Sequence, residues 1–473
     1  MNSKFVQRVA YACGTFGHDI FYAMLGGYFM FFVTSNLFNS PDIEGKEQDA
    51  YMIGVITTVI LVLRVAELFI DPFIGNMIDK TKTRWGKFKP WVLVGGVVGA
   101  VTLAILFTDF GGMAMTDPMT YLIGFTILYL IMDIFYSGKD VAIWSMIPAL
   151  SFDSREREIT ATYARIGSVF GGQLVTIMVM PLVLYFSVNQ NGGAGDPHGW
   201  FMFACIGGAI SVLGAIILGI GTKEQQSELR ENKEETGFSD VFKILAQNDQ
   251  LMWIALTYLI YGLGQNIVNN FNLYYFTYIL GDSTQMSFLG VINVVIGLAA
   301  VALFPTLTAK FSRRGLFFAS VSIMIVALII YAFADQSVTM TLLAAGLFAL
   351  PQPLIFLVVL MTITDTVEYG QLKLGHRDEA LVLCVRPLID KLAGAITSAM
   401  VGYTAVWVGM TAGATADSIS PEGIFNFKLI MFAAPIVLII AGALFYRAKV
   451  TLTEEEHERI VKELEKKWAE MNK

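Results

Sequence analysis

Apolar runs of about twenty residues recur along nearly the whole of this 473-residue chain, and that repetition fixes the class of fold first. A helix that crosses hydrocarbon satisfies its own backbone polar groups, so a chain made of such runs folds as a bundle of spanning helices. Twelve spans are predicted, near 11–38, 52–78, 91–109, 120–148, 162–187, 199–220, 251–280, 287–309, 315–333, 339–364, 381–409 and 426–446. Only 15% of the residues are charged, against about 25% in a soluble domain. The expected fold is therefore an all-α polytopic membrane protein, with the lipid bilayer as its first partner.

Lysine and arginine sort the connections by side. Those after even-numbered spans carry Lys80, Lys82, Arg84, Lys87 and Lys89, then Arg155 and Arg157, Lys223, Arg230 and Lys233, Lys310, Arg313 and Arg314, and Lys373 and Arg377. Connections after odd-numbered spans are nearly free of basic residues. The positive-inside rule puts both termini in the cytoplasm of a chain embedded in the cell membrane. Both ends on one side require an even number of spans, so count and orientation agree. The longest polar segment, Lys223 to Gln250, divides six spans from six. The expected organisation is a six-helix bundle over 1–222, a cytoplasmic linker over 223–250, a second bundle over 251–447 and a cytoplasmic tail over 448–473. Thr453 and Glu456 are spaced as a capping box, and Ile460, Leu464 and Trp468 share one stripe, so the tail is predicted to be an amphipathic helix. Two six-helix bundles around a central cavity resemble the layout of a major facilitator.

Charge inside the spans marks where function sits, because a charged side chain at bilayer depth costs about 2.5–3.5 kcal/mol. Arg64, Glu67 and Asp71 recur at three and four residues in the second span, hence on one helix face. Two carboxylates one turn apart repel when both are ionised, so one is expected to hold a proton; with oxygen neighbours the same pair can hold Na⁺. His18 and Asp19 lie in the first span. Asp133, Tyr136, Asp140 and Trp144 form one stripe in the fourth, with Lys139 turned by about 100° toward a neighbouring helix. Carboxylates accept hydrogen bonds from several hydroxyls, and an indole face packs on apolar C–H surface, a combination suited to a sugar. In the eleventh span Arg386, Asp390 and Lys391 flank Pro387, and the connection before it, 365–379, is dense in ionisable groups.

Other classes find no support. The chain has no P-loop, no His/Cys metal spacing and no nucleophile elbow, so an enzyme, an ATP-driven pump and a bound cofactor or metal are not expected. The basic clusters sit at helix ends rather than on a nucleic-acid-binding face. Cysteines 13, 205 and 384 lie in apolar runs and give no disulfide framework. Met1 leads into a span with no small-residue cleavage site, so no removable signal peptide is expected.

Several stretches resemble the glycoside–pentoside–hexuronide:cation symporters: Phe16-Gly-His-Asp19, Ile70-Asp-Pro-Phe-Ile-Gly-Asn76, Arg84-Trp-Gly-Lys-Phe-Lys-Pro-Trp91, Trp144-Ser-Met-Ile-Pro148, Asp153-Ser-Arg-Glu-Arg-Glu158 and Leu273-Tyr-Tyr-Phe-Thr-Tyr278. The likeness spans essentially the whole chain. Asp365-Thr-Val-Glu-Tyr-Gly-Gln371, Gly375-His-Arg-Asp-Glu379 and Val385-Arg-Pro-Leu-Ile-Asp-Lys391 are similar to the lactose permeases of lactic acid bacteria. Many of those end in a phosphotransferase-type regulatory domain. This chain stops after its tail helix, which implies that such control is absent or that the chain is truncated.

The resemblance implies roles residue by residue. Asp19 and Asp140 match the family's sugar-hydroxyl acceptors and Trp144 its stacking aromatic, with His18, Tyr136 and Arg165 nearby. Glu67 and Asp71 match its two coupling carboxylates, flanked by Arg64 and Lys139, and Lys391 matches a helix-11 lysine facing them. Lys373, His376 and Glu379 match a stretch implicated in coupled sugar and proton movement. Two departures matter. Ile70 stands where sodium-using members have an asparagine, and Lys139 adds a fixed positive charge. The implied activity is uptake of a galactoside such as lactose, melibiose or raffinose with H⁺, or with Na⁺, and with sugar exchange. Another glycoside, a pentoside or glucuronide, is the alternative substrate, and a transport-inactive sugar sensor is the alternative class.

Overall fold

Each apolar run folds as one helix, because the only backbone hydrogen bonds available at bilayer depth are those a helix makes with itself. The computed structural model describes residues 3–151, 154–224, 246–334, 337–375 and 379–471, and regular structure among them is helical. The helices are α1 (Lys4–Asn36), α2 (Ile43–Lys80), α3 (Lys89–Leu106), α4 (Pro118–Leu150), α5 (Ser154–Phe186), α6 (Pro197–Gly221), α7 (Asp249–Ile279), α8 (Gln285–Phe304), α9 (Thr306–Ala332), α10 (Val338–Leu374), α11 (Glu379–Val408), α12 (Pro421–Lys449) and the tail helix α13 (Glu454–Met471). Eleven of the described helices are long and apolar enough to cross a membrane. The twelfth expected span, α11, has the length at 30 residues, but Arg386, Asp390 and Lys391 dilute its apolar character. A single π turn interrupts α1 at Met24–Tyr28, α7 at Tyr275–Ile279 and α12 at Leu429–Ala433.

The chain forms two compact units. One takes Met1–Glu234, Asn270–Val294 and Ser398–Phe427; the other takes Glu235–Asn269, Val295–Thr397 and Lys428–Lys473. In the first unit α1 is held between α5 and α6 by small residues. A Cβ added at Gly214 would lie 2.6 Å from the Cys13 carbonyl oxygen, and one at Gly171 would strike that of Phe16. Such close approach is what small residues allow in membranes. Near the chain's N-terminus Arg8 joins α1 to α5 through two hydrogen bonds to Glu156, at 2.7 and 2.6 Å. Those bonds hold the Glu156 carboxyl below its usual range. Tyr11, Ile74, Ile143, Met146 and Leu218 belong to the apolar core beside them.

Helix ends in this unit are capped by carboxylates. Asp196 accepts from the backbone N–H of Gly199 at 2.8 Å, Val188 at 2.7 Å and Asn189 at 2.9 Å. Glu224, just past α6, accepts from the backbone N–H of Lys87 at 2.8 Å and Lys89 at 3.1 Å. It thus seats a carboxylate on the positive end of α3, where a helix favours an anion.

In the second unit the backbone turns at Ser312, a non-glycine residue with φ 56 and ψ 160, so that Arg313 can reach inward. Arg313 donates to Asp365 at 2.7 Å, and its backbone N–H donates to Glu454 at 2.6 Å. His457 Nε2 lies 3.5 Å from Glu368. The amphipathic tail therefore docks on α10, with Ile460 buried beneath it. Asn248 donates to the Thr366 carbonyl at 2.9 Å and caps α7 through Leu251 N–H at 3.1 Å. The expected connection over 365–379 is largely a continuation of α10: the helix runs to Leu374 and ends where Gly375 adopts φ +81.

Candidate functional site

The first unit brings the expected residues of the first, second and fourth spans into one electrostatic neighbourhood. His18 Nε2 lies 3.0 Å from Asp140 Oδ1 and 3.4 Å from the Tyr136 hydroxyl. The two rings stack, with centroids 5.2 Å apart and planes 6° apart, and Phe21 covers the other side of Tyr136 at 4.4 Å. α1 and α4 are thus fastened by an aromatic sandwich whose polar edge ends on a carboxylate. Asp19, one residue on, hydrogen-bonds Ser168 of α5 and lies in the field of Arg165. Its Oδ2 and the His18 Nδ1 are buried with no partner among the described residues. Buried polar atoms are almost always paired, and exceptions ask for a water or a ligand. Trp144, 38% exposed, stands one turn beyond Asp140.

Lys139 takes the opposite side of α4. It is 1% exposed and donates to Ser211 of α6 at 2.8 Å. Its ammonium lies within the fields of Asp19 and Asp140 and 6.0 Å from the Phe21 ring. The 100° turn read from the sequence is therefore what takes the side chain to α6 rather than into the stripe. Ser211 itself carried no signal, being a small residue in an apolar run.

The second-span group forms its own links to α4. Arg64 Nε donates to the Tyr129 hydroxyl at 3.1 Å and interacts with Glu67. Ser137 donates to Asp71. Glu67 is 8% exposed, while Arg64 and Asp71 are half-buried. Tyr129 carries no charge to mark it in the sequence, although it stands four residues before Asp133 and continues the same stripe by one turn. Asp133 is buried and close enough to Tyr129 to act on it electrostatically.

The remaining expected residues belong to the second unit. Lys391 is half-buried and follows Asp390, which accepts from Arg386 at 2.6 Å. Lys373 is a helical residue of α10 rather than a loop residue, and it pairs with Asp249 at the start of α7. His376 lies outside the described residues, as does the Glu379 side chain.

Comparison with known proteins gives the context of this geometry. The family model described as MFS/sugar transport protein matches residues 10–452. The lactose permease of Lactobacillus delbrueckii subsp. bulgaricus is 50% identical over 99% of this chain and 74% of its own length. The raffinose carrier protein of Pediococcus pentosaceus is 51% identical over 99% of this chain and 72% of its own. Among solved structures, the nucleoside transporter NupG aligns with a TM-score of 0.62 at 14% identity, over 95% of this chain and all of that one. That likeness shows the major facilitator fold.

Proposed function

The chain belongs to the MFS/sugar transport protein family, and on that premise we propose that it carries a galactoside across the cell membrane together with a proton. The two halves, 1–222 and 251–447, rock about a midplane site that opens to one side at a time, with both termini in the cytoplasm. What carries the reading is the constellation of buried His18 and Tyr136 with half-buried Asp19 and Asp140, beside the exposed face of Trp144. Two carboxylates and a histidine supply acceptors for sugar hydroxyls, and the indole supplies a surface for the apolar ring face. The relatives named for lactose and raffinose support a galactoside, since both sugars contain galactose.

Coupling is assigned to Glu67 and Asp71. A proton shared by the pair relieves their repulsion, and the Arg64 guanidinium, which interacts with Glu67, stabilises the carboxylate left when the proton departs. Sodium is the second reading. The Ser137 hydroxyl against Asp71 puts one more oxygen at that point, and hard cations bind through oxygens. Uptake of labelled lactose, melibiose and raffinose into vesicles, driven separately by a proton gradient and by a sodium gradient, tests both. Accumulation that follows the proton gradient is expected. Accumulation that follows Na⁺ and ignores pH overturns the proton assignment, and no uptake or counterflow of any galactoside overturns the substrate.

A further inference from the structure

At the end of the helices remote from both chain termini, the first unit is closed by hydroxyl pairs. Thr34 Oγ1 lies 2.6 Å from the Tyr274 hydroxyl, and the Tyr278 hydroxyl donates to Ser35 Oγ at 2.9 Å, both joining α1 to α7. Thr58 Oγ1 lies 2.6 Å from the Tyr403 hydroxyl, joining α2 to α11. Ser283 donates to the Gly193 carbonyl at 2.7 Å, and Ala412 N–H donates to the Thr34 carbonyl at 3.0 Å. These contacts join hydroxyl and backbone groups. Thr34, Tyr274 and Tyr278 are buried, and Phe31 packs edge-on against Tyr274 with centroids 4.8 Å apart.

We propose that this set is the gate on the side away from the termini, with Tyr274, Tyr278 and Gly402 as the residues that decide how readily it opens. The proposal rests on the alternating-access reading above and adds residues that the sugar and coupling sites do not include. Three observations make the contact separable. A hydroxyl pair holds by about 1 kcal/mol net, so parting it is cheap beside parting a buried ion pair. Thr34 Oγ1 has the Met30 and Phe31 carbonyl oxygens at 3.1 Å, so it stays satisfied when the phenol leaves. α7 carries a π turn at the contact itself, Tyr275–Ile279, and α1 carries one at Met24–Tyr28, ahead of Thr34, a departure common at functional positions.

Gly402 sets the closed distance. A Cβ there would strike the Met30 methyl and the Thr57 hydroxyl and lie 2.8 Å from Thr57 Cγ2. Any side chain is then a wedge between α11 and the first two helices. Removing phenol hydroxyls and inserting a wedge act by different routes and push the same way.

The test uses the full chain in nanodiscs, with Cys13, Cys205 and Cys384 changed to serine. Spin labels are placed at V188C and F425C, two exposed positions at the same end. Electron–electron distance distributions are recorded for this parent, for Tyr274→Phe with Tyr278→Phe, for Gly402→Ala and for Gly402→Leu. The double phenylalanine variant keeps its ring packing and is expected to raise the long-distance fraction about fivefold per lost pair. Gly402→Ala is expected to raise it less than Gly402→Leu. Distributions that superimpose on the parent in all three variants overturn the proposal. Calorimetric lactose binding on the same samples separates the readings: absent binding fails the substrate assignment, while the distances alone decide the gate.

Discussion

His18 Nε2 and Asp140 Oδ1 lie 3.0 Å apart, which makes the imidazole the protein's own ligand for the carboxylate expected to hold a sugar hydroxyl. For the pair to be a hydrogen bond, Nε2 must carry the proton, leaving Nδ1 as the unpartnered atom. Asp140→Asn replaces an acceptor with a group that is half donor, and a hydrogen bond to a charged group is worth about 1.5–3 kcal/mol. Galactoside affinity is expected to fall roughly ten- to hundredfold, and Asp19→Asn to behave alike. His18→Ala is expected to cost about five- to tenfold, as the loss of one positioning hydrogen bond. Isothermal titration decides. Equal losses for His18→Ala and Asp140→Asn would mean that the imidazole itself holds the sugar.

Lys139 is expected to matter for folding before it matters for transport. Its ammonium is buried against Ser211 and compensates the nearby carboxylates, so Lys139→Ala leaves negative charge without its cation. Breaking a buried charge pair costs about 3–5 kcal/mol. Ser211→Ala removes only a hydrogen-bond acceptor and is expected to cost about 1–3 kcal/mol. Thermal unfolding of the purified chain should therefore rank wild type above Ser211→Ala and that above Lys139→Ala. The reverse order would show that the ammonium draws its stability from elsewhere.

Coupling and exchange should separate in the second-span variants. Glu67→Gln or Asp71→Asn fixes a neutral side chain where a proton must come and go. Uphill accumulation is expected to disappear while sugar-for-sugar counterflow persists, because exchange returns the carrier loaded and needs no net proton release. Counterflow lost in step with accumulation would place these carboxylates in sugar binding.

A pH signature in stability is expected from Asp196, which lies outside the spans. Burial acts to raise its pKa, but the N–H groups of Asn189, Gly199 and Val188 outweigh it and hold the carboxyl below its ordinary value. A depressed carboxyl contributes stability that is fully present above the ordinary aspartate value near about 4 and fades as the pH falls through the folded value. Asp196→Asn leaves the Val188 and Asn189 N–H groups without the carboxylate oxygen they share, and should cost about 1–3 kcal/mol at neutral pH and flatten the acid limb of the unfolding profile. An unchanged acid limb would shift that role to other carboxylates.

Much of the fold was legible because hydropathy is a coarse signal and the bilayer enforces it. The stripe Tyr136–Asp140–Trp144 was legible for a related reason, since helical spacing alone puts it on one face. What escaped reading had no such amplifier. Ser211 became functional only through the packing that brings α6 to Lys139, and Tyr129 read as one more aromatic in an apolar run. The continuation of α10 to Leu374 is not legible, because its charges fit a solvated loop equally well. Asp365, Glu368 and Lys373 in fact have partners on neighbouring elements in Arg313, His457 and Asp249, so the helix gains by continuing.

The two carboxamide and carboxylate anchors that flank the central linker have a mechanical consequence. Glu224 is tied to the start of α3 and Asn248 to α10, so only residues 225–247 lie between fixed points. Fully stretched, that many residues reach on the order of 80 Å. Motions of a few ångströms are short beside that reach, so the number of residues does not limit them. The linker's contribution is local concentration: it keeps each half within reach of the other, as any chain of similar length and solubility would. Shortening it by several residues should then leave transport rates intact, whereas cutting it should make assembly of the carrier depend on how much of each half is present.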